Sequence, residues 1–333
     1  MHGSKVTLAS VADRAGVSLA TASKALSGRP DVSDKTREKI IRIANEIGFR
    51  PNRLAQNLAL GRSGAVGLIT HDMEGRFSIP IMLGAEDRFG EGEVSILLCD
   101  ARGDTIREQY HIRNLLSRQV DGLIIVGARP DPRPSIGDVP VPVVYAYAPS
   151  MNDEDVSVIV DNEHAGRLVA QHLLECQRTR IAMISGDYTY GAAQDRARGV
   201  ISVLDAAGLK PVGDQPLYGP WSESWGRQAT RLFLDQHGES QIDAFVCGSD
   251  QIARGCLDIL HDRGVRVPED IAVIGHDNWH LIAEASRPPL TTIDQNLHDL
   301  GQTAAQLLID AMSGREMSSQ VIQGKLVLRS STL

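Results

Sequence analysis

Short apolar runs alternate with longer amphipathic stretches from Ala65 almost to the end of the chain. The runs have the length of buried strands, and the stretches between them repeat apolar residues at helical spacing. The predicted strands are 65–70, 95–101, 122–128, 143–147, 158–160, 180–186, 245–248, 271–276 and 290–293. The predicted helices are 79–89, 105–118, 163–175, 192–207, 222–236, 250–263 and 297–312. Because strands that alternate with helices form parallel sheets, we predict an α/β body whose sheets are covered by helices on both faces.

The alternating region is too long for a single sheet. The chain has 333 residues, and about 270 of them follow this pattern. Two lobes are the simplest arrangement for such a length, and a ligand is then expected between them, at the carboxyl ends of the strands. Hydrophobic residues make up 42% of the chain, which is ordinary for a globular protein.

The composition also excludes several classes of protein. No apolar run approaches the ~20 residues that a membrane helix needs, and no apolar segment follows the N-terminus, so we expect a cytoplasmic protein. The four cysteines lack the paired spacing of a metal site, and we expect them to be reduced thiols.

Charge is distributed unevenly along the chain. Residues 1–62 carry eleven Lys and Arg against five Asp and Glu, a net charge of +6. The whole chain carries −8, so the remainder carries −14. A basic head on an acidic body is typical of a protein whose head meets a polyanion such as DNA.

The basic head has the pattern of a helix-turn-helix. Thr7 and Ser18 are candidate N-caps for helices at 8–15 and 19–26, and Gly16 supplies the tight turn between them. Ser33 can cap a third helix. The second helix of such a motif enters the major groove of DNA. The candidate contacts to base edges are Leu19, Ala20, Ser23 and Lys24, the candidate phosphate contacts are Ser18, Thr21, Ser33 and Thr36, and Thr7 is a further candidate for DNA contact.

Several blocks of the head occur in a specific order: VTLASVADRAGVSLATASKALSG, VSDKTREKI and GFRPNRLAQNLALGRS. In these blocks the chain resembles the DNA-binding head of the LacI/GalR family of bacterial transcription regulators. The resemblance implies paired hinge helices at 51–59 that fold against the minor groove. Leu58 matches the residue that wedges between base steps, and Asn52 and Ala55 match groove-facing positions beside it. We therefore divide the chain into a DNA-binding domain (1–50), a hinge and linker (51–63) and an effector-binding and dimerisation body (64–333).

The resemblance continues through the body. The matching blocks are RQVDGLIIVG, VDNEHAGRLVAQHLL, DRARG, GSDQIARG, VPEDIAVIGHDN and RPPLTTID. They imply a body like that of the periplasmic binding proteins, in which the chain crosses three times between two lobes. The expected first lobe comprises about 64–160 and 292–321, and the second about 161–291 and 322–333.

Candidate effector-binding residues follow predicted strands or match family positions. Arg196 matches a ligand-binding arginine, Asp277 a carboxylate that accepts bonds from ligand hydroxyls, and Trp221 an aromatic stacking position. An arginine and a carboxylate together suit a polyol, and an indole face suits a sugar ring or a nucleobase. Three further candidates are Ser249 and Asp250, which end a strand, and Phe77, a second aromatic wall.

Two segments depart from the family pattern, and both lie on the first lobe's side of the expected cleft. The loop 71–77 lacks the usual Asn-Pro-Phe-Phe, and the stretch 144–148 lacks a charged pair often found there. The departures leave the identity of the ligand open between a sugar or sugar derivative, which we favour, and a purine or nucleoside.

The sequence contains no phosphate loop, no dinucleotide fingerprint and no nucleophile elbow. His276 and His280 are four residues apart, but they follow a strand and lack the helical context of a zinc site. We predict a repressor without cofactor or metal, a homodimer on a pseudo-palindromic operator, whose DNA affinity a small molecule changes. A free-standing sugar-binding α/β protein is the alternative from another class, and the basic head argues against it.

Overall fold

The computed structural model describes residues 6–26, 31–49, 63–72, 76–91 and 94–333. The chain forms two compact units, residues 1–64 and 65–333. The expected hinge, with Asn52, Ala55 and Leu58, lies outside the described residues.

The first unit contains three helices around a small apolar core. They are α1 (Leu8–Ala15), α2 (Leu19–Leu26) and α3 (Asp34–Glu46). Thr7 and Ser10 form a reciprocal capping box at the start of α1, and Gly16 ends that helix at a φ of 68°, where glycine carries no steric cost. The buried core residues are Val11, Ala12, Ala15, Ala22, Ala25, Val32, Ile40 and Ala44. The first two helices have the bounds that the sequence predicts.

The second unit contains two six-stranded sheets, and the first sheet is parallel throughout. Its strands are β1 (Ala65–Thr70), β2 (Ser95–Asp100), β3 (Leu123–Val126), β4 (Val143–Ala146), β5 (Val156–Val160) and β11 (Gln320–Ile322). Their order is β11-β5-β4-β3-β1-β2. The helices α4 (Ser78–Glu91), α5 (Thr105–Ser117) and α11 (Leu297–Met312) pack on this sheet and complete the first lobe.

The second sheet has the same form, with one antiparallel edge strand. Its strands are β6 (Ile181–Ser185), β7 (Val212–Tyr218), β8 (Ala244–Cys247), β9 (Ala272–His276), β10 (Thr291–Asp294) and β12 (Lys325–Val327). Their order is β12-β10-β9-β8-β6-β7, and β12 runs antiparallel to β10. The helices of this lobe are α6 (Asn162–Glu175), α7 (Gly191–Ala206), α8 (Glu223–His237), α9 (Asp250–Asp262), α10 (His280–Ala283) and a 3-10 turn at Glu239–Gln241.

The chain passes between the lobes at three places: after β5, after β10 and after β11. The expected return to the first lobe at residue 292 was wrong by a few residues. Strand β10 pairs with β9 in the second sheet, so the chain returns to the first lobe only after β10. The strands β7, β11 and β12 were not predicted. All three are edge strands with exposed or half-buried residues, so they lack the apolar signal of a buried strand.

Three helix pairs in the body pack through glycines. A Cβ on Gly166 of α6 would overlap the backbone carbonyl of Arg196 on α7, and a Cβ on Gly199 of α7 would overlap that of Glu163 on α6. The pair α4 and α11 uses Gly84 and Gly301 in the same way. This close approach fixes α7, the helix that carries Arg196, against the second lobe.

No helix in the described parts of the chain is long and apolar enough to cross a membrane. The same residues contain no group of three or more His, Cys, Asp or Glu side chains placed to hold a metal ion.

Candidate functional site

The outer surface of α2 is the candidate DNA-binding surface of the first unit. Leu19 is 54% exposed although it is a large apolar residue, and Ala20 and Lys24 beside it are also exposed. The opposite side of α2 places Ala22 and Ala25 in the core. The helix therefore presents one face to its own domain and keeps the other available for base edges.

The hydroxyl residues of this unit lie at helix N-termini. Ser18 Oγ accepts a bond from the backbone N–H of Thr21 and lies 2.8 Å from the Thr21 hydroxyl. Ser33 and Thr36 have their hydroxyls 2.9 Å apart at the start of α3, but the expected cap by Ser33 is not formed, because its side chain accepts no backbone N–H of that helix. Helix N-termini attract phosphate through unpaired N–H groups and the helix dipole. Ser23 is half-buried on α2, and Lys24 lies 2.5 Å from Asp31, an ion pair that DNA would compete with.

A cavity of about 180 Å³ lies between the two lobes of the second unit. The first lobe lines it with residues that follow β1, β3 and β4, and the second lobe lines it with α7 and with residues that follow β7 and β9. The lining residues are Asp72, Arg76, Phe77, Ala128, Arg129, Pro130, Tyr147, Tyr190, Ala192, Arg196, Trp221 and Asp277. The volume corresponds to about six water molecules at ~30 Å³ each, so one sugar ring or one nucleobase is of suitable size.

Arg196 is one of the most buried arginines of the second lobe, with 8% of the residue exposed. Its Nε donates to Asn162 Oδ1 at 2.8 Å, and one terminal nitrogen donates to the carbonyl of Gly248 at 2.7 Å. Burial lowers the pKa of the guanidinium, while the nearby Asp277 opposes that change. These bonds fix the remaining part of the guanidinium toward the cavity, where it can donate to a ligand oxygen.

Asp277 lies directly after β9, and its side chain is 2% exposed. Its Oδ1 accepts a bond from Gln295 at 2.7 Å and lies 3.8 Å from Arg196, while its Oδ2 lies 2.7 Å from Arg76. The residue has a φ of 106°, in a region that favours glycine. A backbone conformation of this kind costs ~1–3 kcal/mol and is characteristic of binding sites.

Two aromatic pairs face the cavity, one from each lobe. Phe77 stacks on Tyr147 with ring centres 5.4 Å apart, and Tyr190 meets Trp221 edge to face at 5.8 Å. Trp221 packs over Gly186, where a Cβ would overlap its indole ring. The buried Nε1 of Trp221 donates to no acceptor within the described part of the chain, so it is available to a ligand.

Four of the six expected effector residues, Phe77, Arg196, Trp221 and Asp277, line one cavity. The other two, Ser249 and Asp250, lie beneath it and are fully buried. Ser249 caps α9 by accepting the N–H of Ile252, so its hydroxyl has a structural use. A position at the end of a strand was therefore not enough to predict which residues line the cleft and which lie in the layer below it.

Asp250 supports the segment that carries Asp277. Its two oxygens accept the Thr292 hydroxyl at 2.6 Å and the backbone N–H of Trp279 at 2.7 Å. Burial, reinforced by the negative charge of Asp277, raises the pKa of Asp250 to about 7 although both hydrogen bonds oppose the change. This carboxyl is therefore a positioning group that changes charge near neutral pH.

A buried cluster joins the two loops of the first lobe that border the cleft. Glu108 lies 2.6 Å from both His71 and Arg133, which belong to the loops after β1 and β3. Burial alone would raise the pKa of Glu108, but the bonds from His71 and Arg133 outweigh it and lower the pKa to about 2. The ionised carboxylate holds the two loops together at any physiological pH.

Sequence reasoning missed several residues that connect the lobes. Arg76 contacts Asp277 and donates to Gln251 at 3.0 Å, and Asp131 accepts the backbone N–H of Gly191 at 2.7 Å. The signal for Arg76 was its place in a loop that departs from the family pattern. Tyr147 lies in the stretch 144–148, which also departs from the family pattern, whereas Tyr190 gave no signal, because its role depends on the lobes meeting.

A helix-turn-helix unit joined to a two-lobed α/β unit with a polar cleft defines a DNA-binding regulator that responds to a ligand. The family model of the bacterial regulatory proteins, lacI family, matches residues 7–52, and that of a periplasmic binding protein-like domain matches residues 170–332. Catabolite control protein A of Priestia megaterium is 30% identical over 322 residues, which cover 96% of each chain.

Two solved structures resemble the chain over nearly its whole length. The complex of the transcriptional regulator CelR with cellobiose is 30% identical, with a TM-score of 0.66 and coverage of 98% of this chain and 100% of that one. The Lac repressor dimer bound to operator and the anti-inducer ONPF is 29% identical, with a TM-score of 0.70 and coverage of 98% and 99%. The chain belongs to the lacI family of bacterial regulatory proteins, and it is a DNA-binding transcription regulator.

Proposed function

We propose that the protein is a homodimeric repressor whose operator affinity changes when a sugar or sugar derivative binds between the lobes of its body. The observation that carries this proposal is the convergence of Arg196, Asp277 and Trp221 on one cavity of about 180 Å³. A guanidinium donates, a carboxylate accepts and an indole covers an apolar ring face, which together match the chemistry of a sugar ring.

Two relatives of known structure support the class of ligand and of target. One is CelR in complex with cellobiose, and the other is a Lac repressor dimer on its operator. By extension, a two-fold dimer of this chain presents two α2 helices to the two halves of a pseudo-palindromic operator. Such a regulator acts on the chromosome, and we place it in the bacterial cytoplasm at the nucleoid.

The cleft offers a route from ligand to DNA because both lobes contribute to it. A ligand that contacts Arg196 and Asp277 from one side and Phe77 from the other changes the relative position of the lobes. If the ligand binds one arrangement of the lobes more tightly than the other, the ratio of their populations shifts by the ratio of the two affinities. We expect induction, in which the ligand lowers operator affinity through the residues that precede the body, including the predicted wedge Leu58.

A purine or nucleoside is the second candidate ligand. The observation that favours it is the presence of an aromatic pair on each side of the cleft, Phe77 stacked on Tyr147 and Tyr190 edge to face with Trp221. A nucleobase stacks between such rings without needing an acceptor as strong as Asp277. An unaltered affinity for nucleosides in the Asp277→Asn variant would favour this reading.

The test uses the full-length protein and a labelled DNA duplex from the region upstream of its own gene. Fluorescence anisotropy is measured with and without each of a set of neutral sugars, acidic sugars and nucleosides. We expect at least one sugar to change operator affinity by fivefold or more, within the range of common allosteric coupling. Asp277→Asn should retain operator binding and lose that response. Failure to bind any such duplex at low salt, or a response to nucleosides alone, would contradict the proposal.

A further inference from the structure

Arg76 occupies a central position in the cleft that no comparison assigns. One terminal nitrogen lies 2.7 Å from Asp277 of the opposite lobe, and the other donates to Gln251 at 3.0 Å. The guanidinium also lies over the rings of Phe77, at 4.8 Å, and Trp279, at 5.2 Å. Its side chain is 15% exposed, so the charge is largely removed from water.

The side chain of Arg76 borders two cavities at once. Together with Phe77 and Asp277, it lines both the cavity of about 180 Å³ and a second one of about 510 Å³. Its Nε donates to no acceptor among the described residues, and Oδ2 of Asp277 accepts no hydrogen bond from them. The two groups are therefore close enough to attract each other electrostatically, yet each retains hydrogen-bonding capacity for a ligand.

The smaller cavity has an excess of donors. Of the described lining residues, Arg76, Arg129 and Arg196 contribute guanidiniums, while Asp72 and Asp277 contribute carboxylates. Trp221 adds an N–H that donates to no acceptor in the described ranges of the chain. Each hydroxyl of a neutral polyol donates as well as accepts, whereas an ionised carboxylate or phosphate only accepts, and guanidiniums bind such groups through two parallel bonds.

The protein already places its own carboxylates on these donors. Asp277 lies against Arg76, and Asp131 lies 3.2 Å from Arg129 while it accepts the first N–H of α7 from across the cleft. The carboxylate of Asp277 in the second lobe thus meets Arg76 of the first lobe. The carboxylate of Asp131 in the first lobe meets the cavity arginine Arg129 and a backbone N–H of the second lobe. The cationic positions of the cleft therefore have the geometry to hold a carboxylate group.

We propose that Arg76 is an effector-binding residue that selects sugar derivatives carrying an anionic group, either a carboxylate or a phosphate. This proposal rests on the function proposed above and specifies its ligand class. The anion takes the position of Asp277 on Arg76, which leaves Asp277 to accept the ligand's hydroxyls. A neutral sugar that displaced Asp277 would leave a buried guanidinium unpaired, which is costly.

The experiment is a binding titration followed by tryptophan fluorescence in the full-length protein. The three tryptophans, Trp221, Trp225 and Trp279, all lie in the second lobe, and two of them line cavities that Arg76 borders. Glucuronate and gluconate represent the carboxylates, glucose 6-phosphate represents the phosphates, and glucose and cellobiose represent neutral sugars.

We expect an anionic probe to bind at least tenfold more tightly than its neutral counterpart. Arg76→Gln should remove this preference, and Arg76→Lys, which keeps the charge but not the fork, should retain part of it. The control is Arg102→Gln, since Arg102 belongs to the same lobe and its side chain is 71% exposed. The carboxylate and phosphate arms show which anion is preferred, and a preference for either one supports the proposal.

The outcomes separate this inference from the function on which it rests. If neutral sugars bind as tightly as anionic ones and change operator affinity, Arg76 does not select anions but the proposed function stands. The same holds if an anionic probe binds equally to the wild type and to Arg76→Gln. No response to any probe, in fluorescence or in operator affinity, would count against both.

Discussion

Asp250→Asn tests whether a buried carboxyl beneath the cleft titrates near neutral pH. The raised pKa of Asp250, about 7 against an ordinary 3.8, means that the folded protein holds this proton more tightly than the unfolded chain. Between about pH 4 and pH 7 the folded state therefore binds more protons, so the free energy of unfolding falls as pH rises through this window. Above pH 7 this contribution no longer changes.

The magnitude follows from the displacement of the pKa. One pKa unit corresponds to ~1.36 kcal/mol, so the displacement from 3.8 to about 7 corresponds to about 4 kcal/mol as an upper value. Asparagine cannot titrate, and its amide oxygen can still accept one of the two bonds, from Thr292 or from the N–H of Trp279. We expect the wild type to lose up to about 4 kcal/mol more than the variant between pH 4 and pH 8.

The assay is urea unfolding at four pH values, followed by tryptophan fluorescence. Because every tryptophan lies in the second lobe, the signal reports the lobe that contains Asp250. Asp262→Asn, at the exposed end of the same helix α9, is the matched control and should follow the wild type. Parallel pH profiles for the wild type and Asp250→Asn would refute the reasoning.

Three further predictions concern other parts of the molecule. The carboxylate of Glu108 should stabilise the wild type by up to about 3 kcal/mol above pH 4.5, and this stabilisation should be lost as pH falls toward 2. Glu108→Gln should abolish it, which urea unfolding followed by circular dichroism would show. Equal acid sensitivity of the wild type and the variant would contradict the prediction. Gly186→Ala should displace Trp221 and weaken effector binding at least tenfold in a fluorescence titration, whereas Gly90→Ala, with open space around it, should not; equal effects would count against the aromatic wall. Lys24→Ala should weaken operator binding by ~1–3 kcal/mol in fluorescence anisotropy while effector binding is retained; unchanged operator affinity would exclude Lys24 from DNA readout.

The sequence predicts those parts of the fold that are encoded by burial. Most of the nine predicted strands are buried or half-buried runs, although the edge strand β2 also exposes Ser95 and Leu98, and the structure contains a strand at each of them with ends shifted by two residues at most. The edge strands β7, β11 and β12 escape prediction because their exposed faces admit polar residues. The residue at which the chain returns to the first lobe also escapes prediction, because the pairing of β10 with β9 depends on the tertiary structure.

The residues of the candidate site divide in the same way, into those that the sequence predicts and those that depend on tertiary contacts. Arg196 and Asp277 are predictable because motif blocks fix their positions, Trp221 matches a family position outside those blocks, and the structure places all three on one cavity. For Arg76 the sequence predicts only a loop beside the cleft, because its contacts with Asp277 and Gln251 join segments far apart in sequence. Ser249 and Asp250 show the converse, since residues at a strand end can be buried below the lining of the cavity.

The central claim is that occupancy of the cleft and occupancy of the operator are coupled. The most direct measurement is a closed cycle on the full-length protein: operator affinity with and without a binding sugar, and affinity for that sugar with and without operator. The account predicts one common factor of at least fivefold in both directions, reduced to one by Asp277→Asn. A sugar that binds the cleft with equal affinity in the presence and absence of operator would contradict it.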